Sequence, residues 1–276
     1  MRHDFAEEVP RPGRLAALRE RIRHIEQPAS HGVLPFGVAA IDRALPGGGL
    51  ALGAVHEILG IDGDEEDGAA ACGFIAGLLV RLRMGPVLWC LKRPDLYGPG
   101  LLVHGLDPAR LVIVTAPRDE DLLWAIEEGL RAPGLVAVIG EIGRLPLVAG
   151  RRLQLAAERS GITAFLLRRW RNSEEAARER ERPSAAVTRW RIAALPARDI
   201  DDPRLRQLIG QPRWRVELLR CRGGVPAQWV VESGDVEVAD ATGHVRLSPE
   251  LADRPAAAVD RKEGRLAAEP LQRRTG

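Results

Sequence analysis

Two groups of residues in this chain have the types and spacing to do chemistry. The first is the run Gly60-Ile61-Asp62-Gly63-Asp64-Glu65-Glu66-Asp67-Gly68-Ala69-Ala70. It lies between a strand-like stretch, Gly53 to Leu59, and a helix-like stretch, Ala69 to Met84. A strand, a glycine-bearing loop and a buried helix form the setting of a phosphate-binding P-loop, and Gly63 and Gly68 keep its G-x-x-x-x-G spacing. The next two positions should be Lys, which reaches the β- and γ-phosphates, and Ser or Thr, whose hydroxyl holds Mg²⁺. They are Ala69 and Ala70, which do neither. Asp64 to Asp67 place four acids in the arc whose amides would cradle an anion, and like charge repels a polyphosphate. The loop therefore reads as a degenerate P-loop that takes no cofactor, an exposed acidic turn. Its acids do not follow the EF-hand spacing either, so no metal is assigned.

The second group is a set of three triplets: Arg169-Trp170-Arg171, Arg189-Trp190-Arg191 and Arg213-Trp214-Arg215. Each falls at the start or end of a strand-like run. In a strand the two arginines share one face and the tryptophan takes the other. If the strands are neighbours, six arginines gather over three tryptophans. Arginine forks suit carboxylates and phosphates, and tryptophan anchors interfaces. All nine residues are thus candidates for partner binding. The competing account is structural, with tryptophan filling the core and arginine stems covering it. DNA is the less favoured partner, because residues 171–182 hold four Arg and four Glu and would dilute a basic track.

The remaining candidates are isolated. His56 and His104 have no second ligand nearby in sequence and read as structural. Glu141 is the one carboxylate at the carboxyl end of an expected central strand, where α/β sites lie. No G-x-S-x-G elbow is present, so a serine hydrolase has no support. Cys72, Cys90 and Cys221 form no C-x-x-C pair, which argues against both a zinc site and a disulfide framework.

These residues need elements to position them. Leu15, Leu18, Ile22 and Ile25 recur at helical spacing over residues 11–27, a helix that ends at Gln27-Pro28. A short helix is expected from Phe36 to Leu45, before the breaker Pro46-Gly47-Gly48-Gly49. Apolar runs at Pro86–Leu91, Leu111–Thr115, Leu135–Ile139 and Ile162–Leu167 read as strands. Helices are expected near Arg118–Leu130 and Leu145–Glu158. Continuous apolar strands alternating with helices are what a parallel sheet covered on both faces requires. Residues 171–182 lack an apolar period and read as a solvated loop or exposed helix. Val187–Ala193, Trp214–Leu219 and Gln228–Val231 follow as a β-rich edge, the last two forming a hairpin about Arg222-Gly223-Gly224. The tail from Asp240 is rich in Ala, Arg, Glu and Pro and is expected to be disordered.

Charge divides along the 276 residues. Residues 1–150 carry 15 basic and 20 acidic groups, residues 151–230 carry 18 and 9, and the rest carry 7 and 9. The basic middle segment is the natural contact for an acidic partner. The acidic start has no apolar leader run, and no apolar run is long enough to span a membrane. A cytoplasmic location is the expectation.

One arrangement carries a resemblance. The stretch Leu34-Pro35-Phe36-Gly37, Ile41-Asp42, Leu45-Pro46-Gly47-Gly48-Gly49-Leu50 and Gly53-Ala54-Val55-His56-Glu57 resembles the start of the RecA-like core. The run Arg213 to Gly224 followed by Trp229 is similar to the C-terminal core signature of the ImuA family, RecA-like and SulA-related proteins of bacterial mutagenesis operons. The resemblance spans about residues 30–232. It implies further positions. Lys92 stands near the place of a water-activating glutamate, and an ammonium cannot orient an attacking water. Leu135–Ile139 resembles the Walker B strand but leads into Gly140-Glu141 rather than Asp. The fourth strand leads into Arg168-Arg169 rather than a polar sensor.

The expectation is an α/β chain with a RecA-like P-loop NTPase fold, a mostly parallel sheet, a degenerate P-loop, a β-rich C-terminal edge and a disordered tail. Its parts are an N-terminal helical segment (1–30), a RecA-like core (31–235) and a flexible tail (236–276). The resemblance implies a non-catalytic accessory protein of SOS-induced, error-prone translesion synthesis. Its implied partners are ImuB, a polymerase homologue, together with RecA and an error-prone DnaE-type polymerase. The alternatives are an ATP-dependent RecA-like enzyme acting on DNA and a SulA-like inhibitor of cell division.

Overall fold

The computed structural model describes residues 31–60, 64–170, 173–195, 213–233 and 245–247. The expected segments 1–30 and 236–276 lie outside the described residues, apart from 245–247. A small antiparallel ribbon, β1 (Val33–Leu34) with β2 (Leu50–Ala51), brackets the short helix α1 (Ala39–Asp42). The main elements follow as β3 (Val55–Gly60), α2 (Asp64–Arg81), β4 (Val87–Leu91), β5 (Leu111–Thr115), α3 (Asp119–Gly129), β6 (Ala137–Ile142), α4 (Leu147–Ser160) and β7 (Thr163–Arg168). The chain continues with α5 (Ser173–Arg180), β8 (Thr188–Leu195), β9 (Arg213–Cys221), β10 (Ala227–Ser233) and β11 (Val245–Leu247).

Among the described residues nine strands form one sheet in the order β11-β10-β9-β8-β3-β7-β6-β4-β5. The six from β8 to β5 are parallel, and β8 to β11 pair antiparallel. The mostly parallel α/β sheet is compatible with a RecA-like fold. Strands such as Val87–Leu91 are apolar throughout because both faces are covered. On one face α2 packs Phe74, Ile75, Leu78 and Leu79 against Ile58, Trp89, Ile139, Phe165 and Trp190. On the other, Leu122 and Ile126 of α3 and Leu153 and Ala157 of α4 pack on Leu88, Cys90, Val138, Ala164 and Leu166. Gly161 ends α4 in a left-handed conformation (φ 77°), and its N–H returns to Ala157 O at 2.9 Å.

Three expectations change. The acids Asp64–Asp67 form the first turn of α2 rather than a loop ahead of it. Negative side chains favour a helix N-terminus, so the helix begins a turn earlier than its apolar period at Ala69. Residues 173–180 are helical, and Glu179 is buried rather than solvated. Within the expected disordered tail, Val245–Leu247 pairs antiparallel with Val231–Ser233.

Candidate functional site

Gly63 lies outside the described residues. Gly68, Ala69 and Ala70 sit in the second turn of α2, with Ala69 exposed and Ala70 buried in the core. The backbone of Asp64–Asp67 is already helical, so that arc is not an open cradle of amides.

A cleft of about 720 Å³ opens instead at the carboxyl ends of β4, β5, β6 and β7. The chain leaving β4 runs to the α2 face through the 3₁₀ turn Gly98–His104, whereas the chain leaving β6 enters α4 on the opposite face. Such a switch point is where open α/β sheets bind ligands. Gly140 lets α3 lie flush on β6, since a Cβ there would collide with Ile126. The next residue, Glu141, is therefore held rigidly on the α2 face at the floor of the cleft. β6 runs on to Ile142, so Glu141 is inside the strand and buried, not beyond its end.

Glu141 accepts a hydrogen bond from Trp89 Nε1 at 2.7 Å and pairs with Arg169. Arg169 Nη1 and Nη2 each donate to one oxygen of Asp95 at 3.0 Å. Lys92 Nζ lies 2.6 Å from Asp119 Oδ1, at the start of α3. Burial raises the Glu141 pKa, against the opposing pull of Arg169 and Trp89. Burial also pulls Asp95 up, but the hydrogen bond and charge of Arg169, with Arg93, outweigh it and leave Asp95 below its ordinary value. Lys92, Glu141 and Arg169, which the sequence placed separately at strand ends, thus meet in one cleft as self-neutralised pairs.

A second network lies under α5. Arg168 Nη1 is 3.4 Å from Glu57 Oε2, and Arg168 Nη2 is 3.2 Å from Glu179 Oε2. Arg189 Nε donates to Glu57 Oε2 at 2.9 Å, and Ser184 Oγ donates to Glu57 Oε1 at 2.6 Å. Two carboxylates and two guanidinium groups are buried together and balance. Their signal in the sequence was an acid inside an apolar strand (Glu57) and an arginine ending one (Arg168). Their mutual proximity depends on the strand order β8-β3-β7.

The three triplets divide. Register puts Arg189 and Arg191 of β8 and Arg213 and Arg215 of β9 on one face, with Trp190 and Trp214 on the other. The first triplet is apart, since Trp170 follows β7 and packs with Leu59 and Ala176. Its Nε1 donates to Gly143 O at 3.1 Å. The five described arginines of the triplets therefore do not form one surface, and Arg171 lies outside the described residues. Trp190 is wholly buried against Phe36, Phe74 and Trp229. Arg191 pairs with Glu217 directly across the strands, and Arg213 Nε lies 3.3 Å from Glu232 Oε1. Such opposite-charge cross-strand pairs stabilise a sheet. Arg215 is exposed and makes no ion pair among the described residues.

Among the described residues no His, Cys, Asp and Glu cluster fits a metal ion, and no helix is long and apolar enough to cross a membrane. Burial raises the thiols of Cys90 and Cys221 to about 12 and about 11, which makes them unreactive near neutral pH.

No family model matches the chain. It is 40% identical over 237 residues to Protein ImuA of Caulobacter vibrioides, in each of two strains, NA1000 / CB15N and ATCC 19089 / CB 15. The match covers 83% of this chain and 93% of that protein.

Proposed function

The chain belongs to the ImuA family, and from that premise we propose that it is a non-catalytic, RecA-like accessory protein of damage-induced, error-prone translesion DNA synthesis. It binds protein partners in the cytoplasm: an ImuB-like polymerase homologue first, with RecA and an error-prone DnaE-type polymerase beside it. Family membership supports the mutagenic setting. One observation supports the absence of an ATPase. At the strand ends where such a sheet presents its reacting groups, Glu141 is committed to Arg169 and Lys92 to Asp119, while Ala69 and Ala70 stand where phosphate and magnesium need an ammonium and a hydroxyl.

Calorimetric titration with Mg-ATP, with and without single-stranded DNA, tests the first half of the reading. Silence in both titrations is expected. Micromolar binding overturns it in favour of an ATP-dependent enzyme. Co-purification of the chain with its ImuB-like partner tests the second half, and loss of that complex at physiological salt overturns the adaptor role.

A further inference from the structure

The cleft at the ends of β4, β6 and β7 holds an anion-binding fork that is already assembled. Arg169 presents one edge to Glu141, whose side chain is 2% exposed, and the other to Asp95, which is 40% exposed. The inner carboxylate is buried at the floor of the cleft and holds Nη1 of the guanidinium. The outer one belongs to an irregular segment after β4 and engages both Nη atoms at 3.0 Å. This two-bond geometry is how a guanidinium recognises a carboxylate. Arg93 Nε stands 3.6 Å from the same Asp95 oxygen. Arg144, which also lines the cleft, is exposed and makes no ion pair among the described residues.

We propose that this cleft docks an acidic peptide segment of a protein partner, whose carboxylate takes the place of Asp95 on Arg169 while a second engages Arg144. The proposal rests on the adaptor reading above and gives that reading a place and a chemistry. Charge selects the ligand class. Lys92, Arg93, Arg144 and Arg169 face Asp95, Asp119, Glu141 and Glu175, a balanced wall. A ligand carboxylate that displaces Asp95 from Arg169 leaves Asp95 beside Arg93 and adds a single negative charge to the wall. A triphosphate would add several beside the same four carboxylates. The volume, about 720 Å³, suits a few residues of peptide, with Pro117 and the edge of Trp170 as its apolar walls.

Asp95 acts in this account as an internal stand-in for the ligand, so its removal strengthens binding. A purely structural salt bridge gives no such gain. The test is fluorescence anisotropy of the full chain with a labelled peptide of Glu-Ser-Gly repeats, the Gln-Ser-Gly peptide serving as the uncharged control. Asp95→Ala is expected to bind the acidic peptide roughly three- to tenfold tighter and Arg144→Ala roughly three- to tenfold weaker, the scale of an exposed charge-assisted hydrogen bond. Both effects shrink as salt rises. Both substitutions are at exposed positions, and unchanged circular dichroism shows that the variants are folded. Equal binding of the two peptides, no gain with Asp95→Ala, or displacement of the peptide by micromolar Mg-ATP overturns the proposal. Capture of the ImuB-like partner is measured in parallel. Capture by wild type that neither variant changes overturns the cleft assignment and leaves the adaptor reading intact. Failure of wild type to capture the partner overturns the adaptor reading, and the peptide titration still decides the cleft.

Discussion

Trp89 and Glu141 meet across neighbouring strands on the α2 face of the sheet, the indole N–H of one donating to the carboxylate of the other at 2.7 Å. They stand two residues out of register, since Trp89 is opposite Ile139, a diagonal within reach of a long side chain. The indole satisfies one oxygen of a buried carboxylate and Arg169 the other. Glu141→Gln keeps an acceptor for Trp89 and removes the charge from Arg169, which retains Asp95. The expected loss is about 1.5–3 kcal/mol, the range for a hydrogen bond to a charged group, read as a lower urea midpoint. A variant as stable as wild type would show that the Arg169 pair contributes nothing to the fold.

Restoring the missing lysine does not restore a nucleotide site. Ala69 is exposed, so Ala69→Lys is accommodated without repacking. Its new ammonium would project from the second turn of a helix whose first turn is already wound and acidic. Mg-ATP titration of Ala69→Lys is expected to stay silent. Heat of binding at micromolar nucleotide would show that the arc from Gly63 to Gly68 unwinds to receive phosphate.

The parallel sheet was legible because strands buried on both faces must be apolar throughout, as Val87–Leu91 is, whereas Leu111–Thr115 is equally apolar in sequence yet forms the edge strand, with Val112 and Ile113 exposed. The Arg/Trp alternation of β8 and β9 was legible because a strand has period two. The buried charges were not. Glu179 looks solvated in a run of alternating Arg and Glu, and only the seating of α5 beside Arg168 takes it out of water. Likewise Arg169, Asp95 and Glu141 are separated by 28 or more residues, and what unites them is the order β7-β6-β4, which follows from helix placement on the two faces rather than from any local pattern. The three triplets looked equivalent in sequence, but one lies beyond its strand and two lie within strands.

The quartet of Glu57, Arg168, Arg189 and Glu179 makes a sharper demand. All four side chains are a tenth exposed or less. Glu57→Gln preserves shape but leaves two guanidinium groups facing a single buried carboxylate. Breaking a buried pair from one side costs about 3–5 kcal/mol. Replacing Arg189 by Met in the same chain removes the surplus charge and is expected to recover part of that loss. The coupling is measured as a double-mutant cycle in urea. Additive losses would mean that Glu57 and Arg189 are held independently.

His56 links the central strand to the edge. Trp190 Nε1 donates to Thr188 Oγ1 at 2.7 Å, that hydroxyl donates to His56 Nδ1 at 2.7 Å, and His56 Nε2 donates to Ala51 O at 2.8 Å. With the imidazole neutral, every donor in this chain has an acceptor, whereas a protonated Nδ1 would leave the Thr188 hydroxyl hydrogen without one in the chain. Burial lowers its pKa to about 4 from 6.5, the backbone bond to Ala51 opposing. Between those values the unfolded chain binds a proton that the folded chain refuses. Stability from this group is therefore complete above pH 6.5 and is lost as the pH falls toward 4. The amount is about 3 kcal/mol. Chemical denaturation across that window, compared with His56→Gln, isolates it, because glutamine lacks the titration while the carboxylates remain. The difference in stability between the two chains is expected to shrink steadily as the pH falls from 6.5 to 4. A constant difference would place the His56 proton equilibrium outside the linkage and make the buried chain of donors indifferent to charge.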